Sequence, residues 1–259
     1  TDVISDDLVI LHTQYSTQWD SLAHVGALFD ADGDGTPEPV YYNGYRAGTD
    51  IHGPQDAADC GAFHLHTLEQ RSTSHAHALG MEHMAERCVQ GRAIMIDLHA
   101  HVGNQRVNVD YEMLQQIMDK DRVQIEPGDM VCLHTGFAEV LLSMNRQPDG
   151  EQLSKSCAVL EGRDPRLLQW ITESQLSVLI ADNYAVEAHP ASSHAGHCAA
   201  LPLHEHCLFK LGIHLGALWH VTPLARWLRA NQRSRFLLTA PPLRLPGAVG
   251  SPVAPIGTV

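Results

Sequence analysis

The sequence predicts an α/β layered fold, on two observations. Short apolar runs of strand length alternate along the chain with stretches whose apolar residues recur at helical spacing. Turn-forming Gly, Pro, Asp and Asn residues punctuate most of the changes. No internal repeat, coiled-coil heptad or interdomain linker stands out, so a single domain over residues 1–259 is the expectation.

Taken in order, Leu8-Val9-Ile10-Leu11 suits a strand leading into a polar segment. Residues 29–74, rich in Gly, Asp, Pro and aromatics, read as a long loop excursion with turns. A helix is expected over Ala76–Cys88, then a buried strand over Ala93–Leu98 after Gly91. Val109 opens a helix to about Asp119, with Tyr111, Leu114 and Ile117–Met118 on one face. Pro127-Gly128-Asp129 turns the chain into a strand over Met130–His134, followed by a helix over Phe137–Met144. Asp164-Pro165 is a helix start, Asp as N-cap and Pro in the first turn, with the helix running to about Ser174. Leu176–Ala181 is a second buried strand, ending at Asp182-Asn183. Helices are expected over Leu203–Leu211 and Thr222–Asn231 and a strand over Phe236–Thr239, before a Pro/Gly-rich tail.

Composition narrows the function classes. The 259 residues carry a formal net charge of −13, which repels phosphate backbones and argues against nucleic acid as a partner. No apolar stretch approaches the roughly 20 residues that span a bilayer. The six cysteines (60, 88, 132, 157, 198 and 207) form no C-x-x-C pair, against a zinc knuckle or a disulfide scaffold. A soluble protein with reduced thiols, cytoplasmic, is the expectation. The chain starts Thr-Asp-Val without Met or a signal-peptide pattern, and a segment upstream of Thr1 is expected. Histidine is abundant: 18 residues, against 17 Lys and Arg together. That favours metal or proton-transfer chemistry without locating it.

The most informative segment is Gln14-Tyr-Ser-Thr-Gln18-Trp-Asp20-Ser-Leu-Ala-His24. In an extended chain Gln14, Gln18, Asp20 and His24 share one parity, and so one face. One carboxylate among neutral donors suits a hard or borderline divalent ion. The same spacing also describes the solvated face of an edge strand.

This segment resembles the motif H-x-G-T-H-x-D-x-x-x-H of the cyclase family, the group that includes kynurenine formamidase and isatin hydrolase. The Thr, the Asp and the last His match at Thr17, Asp20 and His24. Gln14 and Gln18 stand where the motif has His, and Ser16 where it has Gly. Further matches follow in order: Gly91 to Asp97, Gly128-Asp129 with Thr135-Gly136, Asp182-Asn183 with Glu187, Leu201-Pro-Leu-His204, and the terminal Pro-Gly…Gly-Ser-Pro pattern.

The resemblance implies a swivelling β/β/α fold, a β-barrel-like core with outer helices. It implies Gln14, Gln18, Asp20 and His204 as ligands of one divalent metal ion, with His24 as the acid–base group. Mn2+ or Zn2+ is the implied cofactor, and Mn2+ is favoured because an amide oxygen is a weaker zinc ligand than imidazole. The acid that completes a second metal site in dinuclear members falls near Ala217, which cannot bind a cation. The implied activity is hydrolysis of an amide C–N bond, in a formamide, lactam or other cyclic amide, by metal-activated water with a His general base. Trp19, Tyr42, His75 and His77 are candidates for substrate binding, Trp19 and the Tyr41-Tyr42 pair by stacking. Trp19 and the tyrosines are equally suited to the core. A homo-oligomer, dimer or tetramer, is expected from the resemblance, with a small-molecule substrate and neither nucleic acid nor membrane as partner.

Two alternatives stay open: a polyketide-type cyclase or dehydratase, and a metal-free binding protein on the same fold. Asp30-x-Asp32-x-Asp34-Gly35 imitates half of an EF-hand loop, but Tyr41 stands at its twelfth position, so a solvated acidic turn is the better reading. The pairs His64/His66 and His99/His101 lack a carboxylate at a matching offset and read as pocket-lining or surface residues. No G-x-S-x-G elbow, P-loop or Rossmann fingerprint is present.

Overall fold

The computed structural model describes residues 2–9, 11–54, 74–193, 195–196 and 198–259. Its centre is a curled, half-barrel sheet of eight strands with helices around it. In chain order these are β1 (Gln18–Asp20), β2 (Gln90–Asp97), β3 (Met130–His134), β4 (Val178–Ala181), β5 (His214–Ala217), β6 (Arg235–Thr239), β7 (Gly250–Pro252) and β8 (Ile256–Thr258). Across the sheet the order is β7-β1-β5-β4-β3-β2-β6-β8. The four middle strands, β5, β4, β3 and β2, run parallel. Both flanks are closed by antiparallel pairs.

The parallel centre is buried on both faces, as such strands require. Ile94 and Ile96 of β2, with Val131, Leu133, Leu179 and Leu215, look to one side. There they meet Leu114, Ile117 and Met118 of the helix Tyr111–Asp121, and Leu167 and Ile171 of the helix Pro165–Ser174. The alternate residues Ala93, Met95, Met130, Cys132, Val178 and Ile180 look to the other side. They pack on Met81 and Met84 of the helix Met81–Arg87 and on Ala225 and Leu228 of the helix Thr222–Ala230.

Local signals account for several elements. Asp110 and Asp164 cap their helices, accepting from the Met113 and Arg166 backbone N–H groups at 2.9 Å each. Elsewhere tertiary contacts prevail over pattern. Leu8, Val9 and Leu11 do not form the expected strand: the backbone there is irregular, and Leu8 and Val9 are 82% and 76% exposed. Ile10 lies outside the described residues. The expected helix over Ala76–Cys88 forms only at Met81–Arg87, because His75–Ala76 pairs instead with Ile51–His52. The Leu203–Leu211 helix begins as one α-turn, Pro202–His204, and continues as a π-helix over Glu205–Leu211. The Pro/Gly-rich tail supplies both edge strands, β7 and β8. Strand β5 was not anticipated either. The excursion at 29–74 folds back at Glu38–Val40 to pair with Ala27–Phe29, and makes the short turn Tyr42–Gly44; residues 55–73 lie outside the described residues.

Among the described residues, no helix is long and apolar enough to cross a membrane.

Candidate functional site

Only Gln18, Trp19 and Asp20 of the motif segment are extended. Gln14 sits in a turn before β1 and His24 in a turn after it, so the expected common parity does not hold over the whole segment. The side chains converge through these turns instead. Within the strand parity does apply: Gln18 and Asp20 share a face, and Trp19 takes the other.

Asp20 is 2% exposed and His204 5%. His204 Nε2 lies 3.9 Å from Asp20 Oδ2. Strand β1 contributes the carboxylate and the N-terminal turn of the 202–211 helix contributes the imidazole. Glu187, 1% exposed, fixes that imidazole. Its Oε1 accepts from the His204 backbone N–H at 2.9 Å and meets His204 Nδ1 at 2.7 Å, while Oε2 accepts from the Leu203 N–H at 2.9 Å. One buried carboxylate therefore satisfies two orphan donors of the helix start and orients the ring. A carboxylate can only accept, so in the neutral ring Nδ1 carries the proton and Nε2 keeps its lone pair, facing Asp20. Gly162 permits this, since a Cβ there would run into the Glu187 carboxylate.

The His24 ring packs edge-on to His204, with centroids 6.3 Å apart. Burial pushes the His24 imidazole below its ordinary pKa; Asp20 pulls the other way and His204 adds to the fall. His214, which sequence reasoning missed, meets the Asp20 backbone carbonyl through Nδ1 at 2.9 Å. Burial lowers its pKa too, against that hydrogen bond and the Asp20 charge.

Gln14 and Gln18 meet side chain to side chain. Turning the Gln18 amide over gives its NH2 two acceptors, Gln14 O at 2.9 Å and Ser16 O at 2.6 Å. With the Gln14 amide turned as well, its NH2 donates to the Gln18 carbonyl oxygen, and the Gln14 carbonyl oxygen is left buried without a donor. The buried Asp20 carboxylate and the bare His204 nitrogen, with the Gln18 amide 3.5 Å from Asp20 Oδ1 and the Gln14 amide next to it, offer donors that suit a divalent cation. The 3.9 Å between Asp20 Oδ2 and His204 Nε2 is too long for a hydrogen bond. It is within two ligand bonds of about 2.1 Å laid end to end. Ala217 is the direct cross-strand partner of Gln18 and is buried, so an apolar methyl occupies the position of the implied second acid.

The substrate-binding candidates fare differently. Trp19 is fully buried on the opposite face of the sheet, where its Nε1 donates to Ala240 O at 2.8 Å and its ring meets Trp219 edge-on at 4.9 Å. Gly216 makes room for that contact, since a Cβ there would lie 3.0 Å from Trp219 Nε1 and 3.2 Å from the Trp19 ring. Trp19 is thus a core residue, turned away from the site by strand parity. Tyr42 lies against Gly212, where the 202–211 helix ends. His75 packs on Gly247, and its ring is 4.4 Å from that of His77, which in turn meets His52 at 5.6 Å. Among the described residues, no hydrogen bond or ring contact joins Tyr42, His75 or His77 to Asp20, His24 or His204.

Other sequence candidates are committed elsewhere. His99 bonds Asn104 and His101 bonds Asp121, each at 2.9 Å. His64 and His66 lie outside the described residues. In the acidic turn, Asp30 accepts from the Gly33 and Gly35 N–H groups and Asp32 pairs with Arg46, as expected of a solvated turn.

A half-barrel α/β fold with a buried carboxylate and imidazole meeting beside the penultimate strand β1 defines the class of protein. The cyclase family model matches residues 3–188, and the chain belongs to that family. A solved structure described as a novel cyclase is 26% identical with a TM-score of 0.75, over 100% of this chain and 72% of that one. Isatin hydrolase A from Ralstonia solanacearum is 18% identical (TM-score 0.51, covering 96% and 85%). Isatin hydrolase A from Labrenzia aggregata, bound to benzyl benzoate, is 11% identical (TM-score 0.51, covering 98% and 89%). No curated protein sequence matches the chain.

Proposed function

We propose that this chain is a metal-dependent hydrolase of amide C–N bonds, acting on a formamide, a lactam or another cyclic amide. The observation that carries the reading is the Asp20–His204–Glu187 arrangement, with the His24 ring beside it. Family membership and the fold shared with isatin hydrolase A support it.

Gln14, Gln18, Asp20 and His204 are the residues that would hold a divalent ion, Mn2+ being favoured by the two amide oxygens. Such an ion supplies polarisation of the amide carbonyl and a lowered pKa for water at the site. Glu187 keeps His204 in one tautomer and one orientation. His24, neutral through burial, takes a proton from the attacking water as its oxygen bonds to the carbonyl carbon. It then delivers that proton to the leaving nitrogen as the C–N bond breaks. A small-molecule substrate, a homo-oligomeric state and a cytoplasmic location belong to the same proposal.

The test is assay of the purified protein with Mn2+ and a panel of formamides and lactams, with product masses recorded. The expected result is gain of one water, lost with EDTA and reduced at least a hundredfold in His24→Ala. Turnover indifferent to both treatments overturns the reading, and a product lighter by one water indicates cyclisation instead.

A further inference from the structure

At the far side of the sheet, the end of β2 and the helices Tyr111–Asp121 and Thr222–Ala230 line an open cavity of about 440 Å3. Strand β2 lies four positions from β1 in the sheet, or about 19 Å at the usual strand spacing. The cavity does not share residues with the Asp20 site. Its volume falls within the range of small-molecule sites.

The lining has an unusual charge for this chain. Lys120, Arg122, Arg229 and Arg233 converge there, in a protein whose formal charge is −13. The two carboxylates in the wall are already engaged. Asp97 accepts from Arg229 Nε at 2.7 Å and meets His134 Nδ1 at 2.7 Å. Asp121 accepts from Arg229 Nη2 at 2.8 Å and meets His101 Nε2 at 2.9 Å. These contacts clamp Arg229 in place with its Nη1 uncommitted. Lys120, Arg122 and Arg233 have no carboxylate partner among the described residues. Arg233 is braced over the Trp227 ring at 5.5 Å. The floor, in contrast, is apolar, with Met95, Val123 and Leu228.

We propose that this cavity binds a small organic anion, a carboxylate on an apolar body. The fixed guanidinium of Arg229, with the rim cations, pairs with the carboxylate. The apolar floor receives the rest of the molecule. A purely inorganic anion would leave that floor uncovered, and a neutral ligand would gain nothing from the charge of the three rim cations.

The test titrates chelator-treated protein with benzoate, benzamide and inorganic phosphate by calorimetry. Benzoate is expected to saturate, with benzamide and phosphate each at least tenfold weaker. The variant Lys120→Gln/Arg122→Gly/Arg233→Gln is expected to weaken benzoate at least tenfold, with an unchanged circular dichroism spectrum. Arg122 already has a left-handed backbone (φ 55°), so glycine fits there without strain. Asp20→Asn is expected to leave benzoate binding unchanged. The proposal is overturned by absence of saturation, by benzamide or phosphate binding as well as benzoate, or by an unaffected triple variant. Sedimentation showing that the triple variant dissociates an oligomer also overturns it, since the cavity would then be an interface.

Discussion

The Asp20 carboxylate and the His204 imidazole come from opposite ends of the chain and meet in the interior with Oδ2 and Nε2 3.9 Å apart. Neither atom can hydrogen-bond the other in the neutral tautomer that Glu187 selects. A pair of buried lone-pair donors left facing each other is costly unless something shares them.

Glu187 should therefore control the site without touching what is bound there. In Glu187→Gln the amide NH2 replaces one of the two acceptor oxygens, so either Leu203 N or both His204 N and His204 Nδ1 lose their acceptor. Affinity for Mn2+ is expected to fall by about ten- to a hundredfold. Gly162→Ala, which presses on the same carboxylate, should shift affinity in the same direction. Calorimetric titration of both variants checks this; unchanged affinity would show that His204 needs no such hold.

Trp19 carries the opposite expectation. Trp19→Phe removes the Nε1 hydrogen bond to Ala240 and part of the contact with Trp219. The free energy of unfolding should drop by about 1–2 kcal/mol, read from urea denaturation, while KM stays the same. A raised KM with unaltered stability would return Trp19 to the substrate pocket.

Asp97 sets an acid limit on stability. Burial pushes its carboxyl up, but the hydrogen bonds from His134 and Arg229 outweigh burial and hold it well below the ordinary carboxylate value. A depressed folded-state pKa means the stabilisation is present above the unfolded value, about 3.9. It drains away as pH falls through the folded value. Asp97→Asn should cost about 2 kcal/mol near neutral pH and flatten the loss of stability below pH 4. Thermal melts of the two proteins from pH 7 to pH 3 measure it. Parallel curves would exclude this role for Asp97.

Much of the fold was legible because its signals are local. Asp164-Pro165 carries its own cap, and Pro127-Gly128-Asp129 its own turn, so the elements that follow were found nearly to the residue. Strands β5, β7 and β8 were not found. They are short, each contains a Gly, and β7 owes its existence to pairing with β1, more than two hundred residues earlier. Leu8 and Val9 show the converse: apolar, strand-forming side chains without a neighbouring strand remain exposed coil.

For the site, the motif around Asp20 located one side and the match at His204 the other. The Gln14–Gln18 contact arises from a turn, where strand parity offered the wrong reason for the right neighbours. Trp19 was misassigned because adjacency in sequence means opposition in a strand. The grip of Glu187 on His204, and the approach of His214 to Asp20, are tertiary facts that no spacing encodes.

The most direct measurement is Mn2+ uptake by the purified, chelator-treated protein, wild type against Asp20→Asn, followed by calorimetry with circular dichroism as the control for folding. The prediction is one ion per chain for wild type, with affinity at least a hundredfold lower once the carboxylate is neutral. Wild type that takes up no ion, or a variant that takes it up equally well, would contradict the assignment of Asp20 and His204 to a shared cation.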